Sequence, residues 1–222
     1  MDRQEVAFFG KISAAMTHDI RNVLAIIRES SGLMLDLLGM CEEGAFVYQQ
    51  KFKNVLTGIQ DQVNRGVELA THFNRFAHSM DQPLADVDAN EMVQQVVYLM
   101  QRFARLRKVQ LLASTSDQPC AIRTDAFALH RFLGDCIHAF VLRAEEGDTI
   151  VVKAGKSEGG AAFTILAERS GLFPPTPGAE VPEVFVEISD YLKGAGGELQ
   201  WAATAEGDRL VLTFRSFPAG GA

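Results

Sequence analysis

Two long stretches of helical periodicity dominate the first 80 residues and restrict what the chain can fold into. Phe9, Ile12, Met16, Ile20, Val23, Ile27, Met34 and Leu37 recur mostly at spacings of three and four, which predicts one helix over residues 3–40. Gly44 then ends or interrupts it. From Ala45 to Met80 the residues Phe52, Leu56, Ile59, Val63, Gly66, Ala70, Phe73, Ala77 and Met80 alternate +4 and +3 without a break, the mark of a heptad seam. The short link CEEGA between the two predicts an antiparallel hairpin. A two-helix hairpin leaves much of each apolar stripe in water, so a homodimer is expected in which two hairpins form a four-helix bundle. The alternative is that the hairpin packs against the rest of its own chain.

The texture changes after MDQPLADVDAN, where Pro83 stops the helix and Asp88 to Asn90 can start another. This sets the expected domains at 1–82 and 83–222. The second predicts a short strand, a helix over 91–108, strands over 109–114 and 121–124, and a helix over 125–143. Strands over 149–154 and 162–167 follow, then a Pro-rich loop, a helix over 184–193, and strands over 198–203 and 209–214. Strands bunched in pairs between helices predict an α+β sandwich, so the fold class is multidomain, α then α+β.

Composition narrows the function classes. A chain of 222 residues, 47% hydrophobic and 22% charged, can bury real cores, and its net charge of -7 offers nothing to nucleic acid. No stretch of 18 apolar residues and no export signal are present, so a cytosolic protein without a membrane anchor is expected. Cys41, Cys120 and Cys136 read as buried reduced thiols. His72 and His78 read as surface or bundle-end residues, and His130 and His138 lack the partners of a zinc site. The run Arg102, Arg105, Arg107, Lys108 reads as a solvated helix end favoured by the helix dipole.

Within AAMTHDIRNVLAIIRES, at about 100° per residue, Met16, Ile20, Val23, Leu24, Ile27 and Met34 cluster on one side. His18 falls nearly opposite, facing solvent, with Ala14, Ala15 and Ala25 near it and Arg21 and Asn22 flanking it at i+3 and i+4. An exposed imidazole attacks phosphorus through one ring nitrogen when an acceptor holds the other. Asp19 is placed to be that acceptor or a nearby base.

The stretch FFGKISAAMTHDIRNVLAII resembles the H-box of two-component histidine kinases. His18, Asp19, Ile20, Arg21, Asn22 and Leu24 match that pattern, while Val23 stands where Pro is usual. The resemblance implies that His18 is the phospho-accepting residue of a dimerisation and histidine-phosphotransfer domain. Residues 84–216 are similar in layout to the ATP-binding domain of such kinases, with TDAFALHRFLGDCIHAFVLRAEEGDTIVV resembling its N-box segment and GAGGELQWAATAEGDRLVLTF its closing strands.

The ligand-binding residues depart from that family. Its N-box Asn residues hold Mg²⁺ and phosphates, whereas the aligned positions here are Asp135 and Ala139, and no Asn follows Asn90. Its Asp-x-Gly-x-Gly box aligns with Glu168, Ser170 and Leu172, where side chains obstruct close approach to backbone. In place of its glycine-rich loop stands GLFPPTPGAEVPEV with four prolines, and Gly194, Gly196 and Gly197 read as a helix C-cap and turn. Tight ATP binding is therefore not expected, and no cofactor is expected to be held tightly.

The pattern resembles the dimeric histidine phosphotransferases built from degenerate kinase cores. It implies response-regulator receiver domains as partners, with His18 attacking the receiver's acyl phosphate, Asp19 orienting or deprotonating the imidazole, and Arg21 and Asn22 placing phosphoryl oxygens. Mg²⁺ would come with the receiver. Lack of a sensor segment favours a relay component. Two alternatives stay open: a kinase core with a divergent ATP site that autophosphorylates His18, and a phosphate-independent pseudokinase scaffold.

Overall fold

The computed structural model describes residues 3–40, 48–116, 118–173, 181–194, 197–204 and 207–217. The link CEEGA with Cys41, the expected helix start at Ala45, residues 174–180 of the Pro-rich loop and Gly196 lie outside these. Two compact units are present, Met1–Arg75 and Phe76–Ala222.

The first unit holds the two long helices, α1 (Arg3–Gly39) and the greater part of α2 (Gln49–His78). No proline interrupts α1, and Val23 continues its helical hydrogen bonding where a proline would break it. The buried stripe of α1 runs through Phe8, Ile12, Ala15, Met16, Asp19 and Val23. This path is rotated toward His18 by roughly 70° relative to the stripe read from sequence, at about 100° per residue. Two expectations change as a result. Ala15 is buried rather than on the outer face, and Leu24, placed in the core by its periodicity, is 59% exposed.

In α2 the buried apolar residues are Phe52, Leu69 and Phe76, while Leu56 and Val63 of the heptad seam are about half exposed in the single chain. A Cβ on Gly66 would stand 3.3 Å from Val23 Cγ1, so the absence of a side chain at Gly66 allows the helices to approach closely there.

The second unit begins inside α2. Phe76, in its last turn, is fully buried with its ring 5.8 Å from that of Phe127 and 5.6 Å from that of His130. A helical apolar anchor thus carries the second unit back to Phe76, ahead of the Pro83 punctuation on which the sequence boundary at 82 rests.

Strand β1 (Ala85–Asp88) leads into α3 (Ala89–Arg107), whose N-cap Asp88 accepts from the N–H groups of Asn90 and Glu91. Such a cap satisfies donors that the first turn leaves without partners. Next come β2 (Gln110–Ser114), β3 (Ala121–Thr124) and α4 (Ala126–Arg143), the last capped by Asp125 through the Ala128 N–H. Strands β4 (Thr149–Ser157) and β5 (Gly160–Ala167) precede a short 3₁₀ turn, Glu183–Phe185, and α5 (Val186–Gly194). Strands β6 (Glu198–Thr204) and β7 (Gly207–Arg215) close the unit.

The main sheet has the order β2-β4-β5-β7-β6, with β2 parallel to β4 and every other pair antiparallel; β1 and β3 form a separate antiparallel pair. Ile150 and Val152, then Ala161, Phe163, Ile165 and Ala167, then Leu210, Leu212 and Phe214 are buried at every second position. That period of two puts one continuous apolar face under the helices. Met92, Val93, Val96 and Met100 of α3, Leu129, Leu133, Ile137 and Phe140 of α4, and Ile188 and Leu192 of α5 are the buried helical residues. Cys120 and Cys136 are buried free thiols, and burial raises the pKa of both.

Candidate functional site

His18 lies midway along α1, and its side chain is 49% exposed while that of Asp19 is only 8% exposed. On the observed wheel His18 flanks the buried stripe rather than opposing it, which is why its neighbour Asp19 lies on the buried face. The imidazole Nδ1 is 3.1 Å from the Asn22 side-chain nitrogen and 3.6 Å from Asp19 Oδ1. The i,i+4 spacing of one helical turn brings Asn22 to the ring. Arg21 and Asn22 are both exposed beside it.

This arrangement directs the ring's two nitrogens differently. When the Asn22 amide nitrogen donates to Nδ1, the ring proton sits on Nε2. Rotating that amide by half a turn presents its oxygen instead, which accepts Nδ1–H and leaves the lone pair on Nε2. The carboxylate of Asp19 favours the second arrangement, because a proton on Nδ1 then faces a negative charge. In that state the Nε2 lone pair points away from Asp19. All four residues expected from sequence therefore occupy one turn of α1, with Asp19 and Asn22 both directed at the same ring nitrogen.

Among the described residues, Asp135, Ala139, Glu168, Ser170 and Leu172 stand at the positions aligned by sequence with nucleotide-binding residues of the resembled family. Asp135 and Ala139 line a cleft of about 270 Å³ between α4 and α5, together with Arg131, His138 and Glu187. The Ala139 side chain has no oxygen for a metal ion, its carbonyl accepts from Arg143 at 3.2 Å, and Asp135 lies 3.8 Å from the Arg131 guanidinium. At the position of the second box glycine, the Leu172 side chain is buried. Its N–H and that of Gly171 donate to Asp208 at 2.6 and 3.0 Å. Phe173 follows, its ring 4.9, 5.0 and 5.2 Å from those of Phe140, Phe185 and Trp201.

These side chains do not fit Mg²⁺-nucleotide: one ligand position lacks oxygen, a second carries a carboxylate beside a guanidinium, and the glycine positions carry side chains. Gly197 donates its N–H to the Leu192 carbonyl at 2.6 Å, the closing bond of a helix C-cap, as its sequence context predicts. Arg131, Glu187 and Asp208 escaped the sequence reading. For Arg131 the i,i+4 spacing to Asp135 was a usable signal, but Glu187 and Asp208 meet their partners only across the fold.

The fold is that of solved histidine kinases, a long helical hairpin followed by an α/β sheet domain. The chain is similar to the histidine kinase AdeS of Acinetobacter baumannii, with TM-score 0.51 and 11% identity over 90% of this chain and 98% of that one. Against the catalytic domain of histidine kinase ThkA the TM-score is 0.52 at 13% identity, covering 62% of this chain and 100% of that one. Against ThkA solved in complex with response regulator protein TrrA it is 0.50 at 13% identity, covering 97% of this chain and 64% of that one. No protein-family model and no curated protein sequence matches the chain. Among the described residues, no helix is long and apolar enough to cross a membrane.

Proposed function

We propose that this chain is a histidine phosphotransferase in a two-component phosphorelay, exchanging a phosphoryl group between His18 and response-regulator receiver domains. The observation that carries the reading is the His18 imidazole, half exposed, with Asn22 and Asp19 both at Nδ1. A receiver's aspartyl phosphate is the donor. The Nε2 lone pair forms the N–P bond as the acyl O–P bond breaks and the receiver carboxylate leaves, while Asp19 stabilises the proton on Nδ1. Arg21 places phosphoryl oxygens at the exposed face, while Asn22, expected to share that task, holds Nδ1 instead. The crystallised complex of the similar ThkA with a response regulator supports a receiver as the partner. Mg²⁺ arrives with the receiver, and ATP binding by the second unit is disfavoured by Ala139, Leu172 and Phe173. A homodimer built as a four-helix bundle is supported by the half-exposed Leu56 and Val63.

A second reading, a kinase core that autophosphorylates His18, is favoured by the fold shared with histidine kinases. Labelled ATP with Mg²⁺ and a labelled phosphorylated receiver distinguish the two when offered separately to the full chain. Label on His18 from the receiver alone supports the relay, and label from ATP overturns it in favour of the kinase. Label from neither leaves a phosphate-independent scaffold. His18→Ala must abolish whichever labelling occurs.

A further inference from the structure

The cleft between α4 and α5 contains a cation of the protein's own. The Arg131 side chain, only 8% exposed, donates from Nη2 to Glu187 Oε1 at 2.9 Å, and its Nε lies 3.8 Å from Asp135 Oδ2. One guanidinium thus lies between a carboxylate of its own helix and a carboxylate of the next. Its planar group also stands over the Phe132 ring at 5.1 Å, and Phe132 in turn stacks on Tyr191 of α5 with centroids 4.3 Å apart. Two carboxylates converging on one cleft repel each other unless a positive charge separates them. A guanidinium stays charged at every physiological pH and cannot diffuse away.

We propose that Arg131 is the resident cation between Asp135 and Glu187 in this cleft, whose lining also includes Arg143, set over the Phe173 ring at 4.7 Å. It stands beside Asp135, one of the two positions aligned with the Asn residues by which the resembled family holds Mg²⁺ and phosphates, ties α5 to α4 through Glu187, and makes the cleft refuse divalent cations. The Phe132–Tyr191 stack is the apolar half of the same connection. The inference is independent of the phosphotransfer assigned to His18.

Thermal unfolding of the full chain, with and without millimolar Mn²⁺, tests it on wild type, Arg131→Gln, Glu187→Gln and the double variant. Wild type is expected to show no response to Mn²⁺. Arg131→Gln should lower Tm by about 3–6 °C, from the loss of a partly buried ion pair in a chain of this size. Mn²⁺ should raise it again, because Asp135 and Glu187 then form a hard-oxygen pair. The double variant should fall by less than the sum of the singles and ignore Mn²⁺. Strict additivity, stabilisation of wild type by Mn²⁺, or indifference of Arg131→Gln to it would each overturn the proposal. Should Arg131→Gln not fold, hydrogen exchange of residues 186–194 decides: Glu187→Gln, altered at an exposed position, must accelerate it, and unchanged exchange overturns the proposal.

Discussion

The carboxylate of Asp208 accepts the backbone N–H of Leu172 at 2.6 Å, and those of Gly171 and Phe173 at 3.0 and 3.3 Å, from a fully buried position at the start of β7. Three N–H donors converge on one charge, so the loop after β5 is held by charge-assisted hydrogen bonds in a low-dielectric setting. Asp208→Ala is expected to cost about 3 kcal/mol, since it leaves buried donors without partners. Urea unfolding measures this, and Phe173 should leave its aromatic cluster, seen as a change in Trp201 fluorescence.

On the phosphotransfer reading, the two groups at His18 Nδ1 contribute unequally. Asp19→Asn keeps the shape but removes the negative charge that stabilises a proton on Nδ1, and should slow transfer from a phosphorylated receiver by about 100-fold. Asn22→Ala, which removes a neutral hydrogen-bonding group, should slow it by about 10-fold. Single-turnover transfer rates check both, and equal effects would argue against a distinct role for the carboxylate.

His130 supplies a pH dependence of stability. Its Nδ1 donates to the Ala126 carbonyl at 2.7 Å, while Nε2 is buried without a hydrogen-bond partner, and Phe76 lies edge-on to the ring. Burial pushes its pKa down from 6.5 to about 4. The unfolded chain therefore takes up a proton that the folded one refuses between those values. Its contribution is fully present above pH 6.5 and falls by about 3 kcal/mol as pH drops to about 4. Urea midpoints across this range should show the slope, and His130→Leu should remove that component.

The half-exposed Leu56 and Val63 of α2 lie seven residues apart on one helix face. If they meet a second copy, replacing both with Lys sets like charges against one another across the dimer axis. The double variant is expected to become monomeric in light scattering while keeping its helical circular dichroism. A variant that keeps the wild-type mass would show that the bundle does not use this seam.

Legibility differed between the parts of the chain for physical reasons. The second unit's elements were readable to within a few residues because period-two and period-3.6 patterns, with Asp88 and Asp125 as caps, act locally. The stripe of α1 was readable as helical but not in its orientation. Periodicity weights every apolar residue alike, whereas packing selects Ala15 and Asp19 over Leu24. The pattern of His18, Asp19 and Asn22 was legible because all three lie within five residues on one regular helix.

By itself, then, the sequence determined two long helices, the strands that follow, and the convergence of His18, Asp19 and Asn22, because helical spacing converts residue number directly into distance. Tertiary structure decided what stands at the resembled nucleotide site. Arg131 meets Glu187 across 56 residues, and Asp208 meets Leu172 across 36. Such pairings depend on how helices and strands stack over one another, a distance that local spacing does not encode.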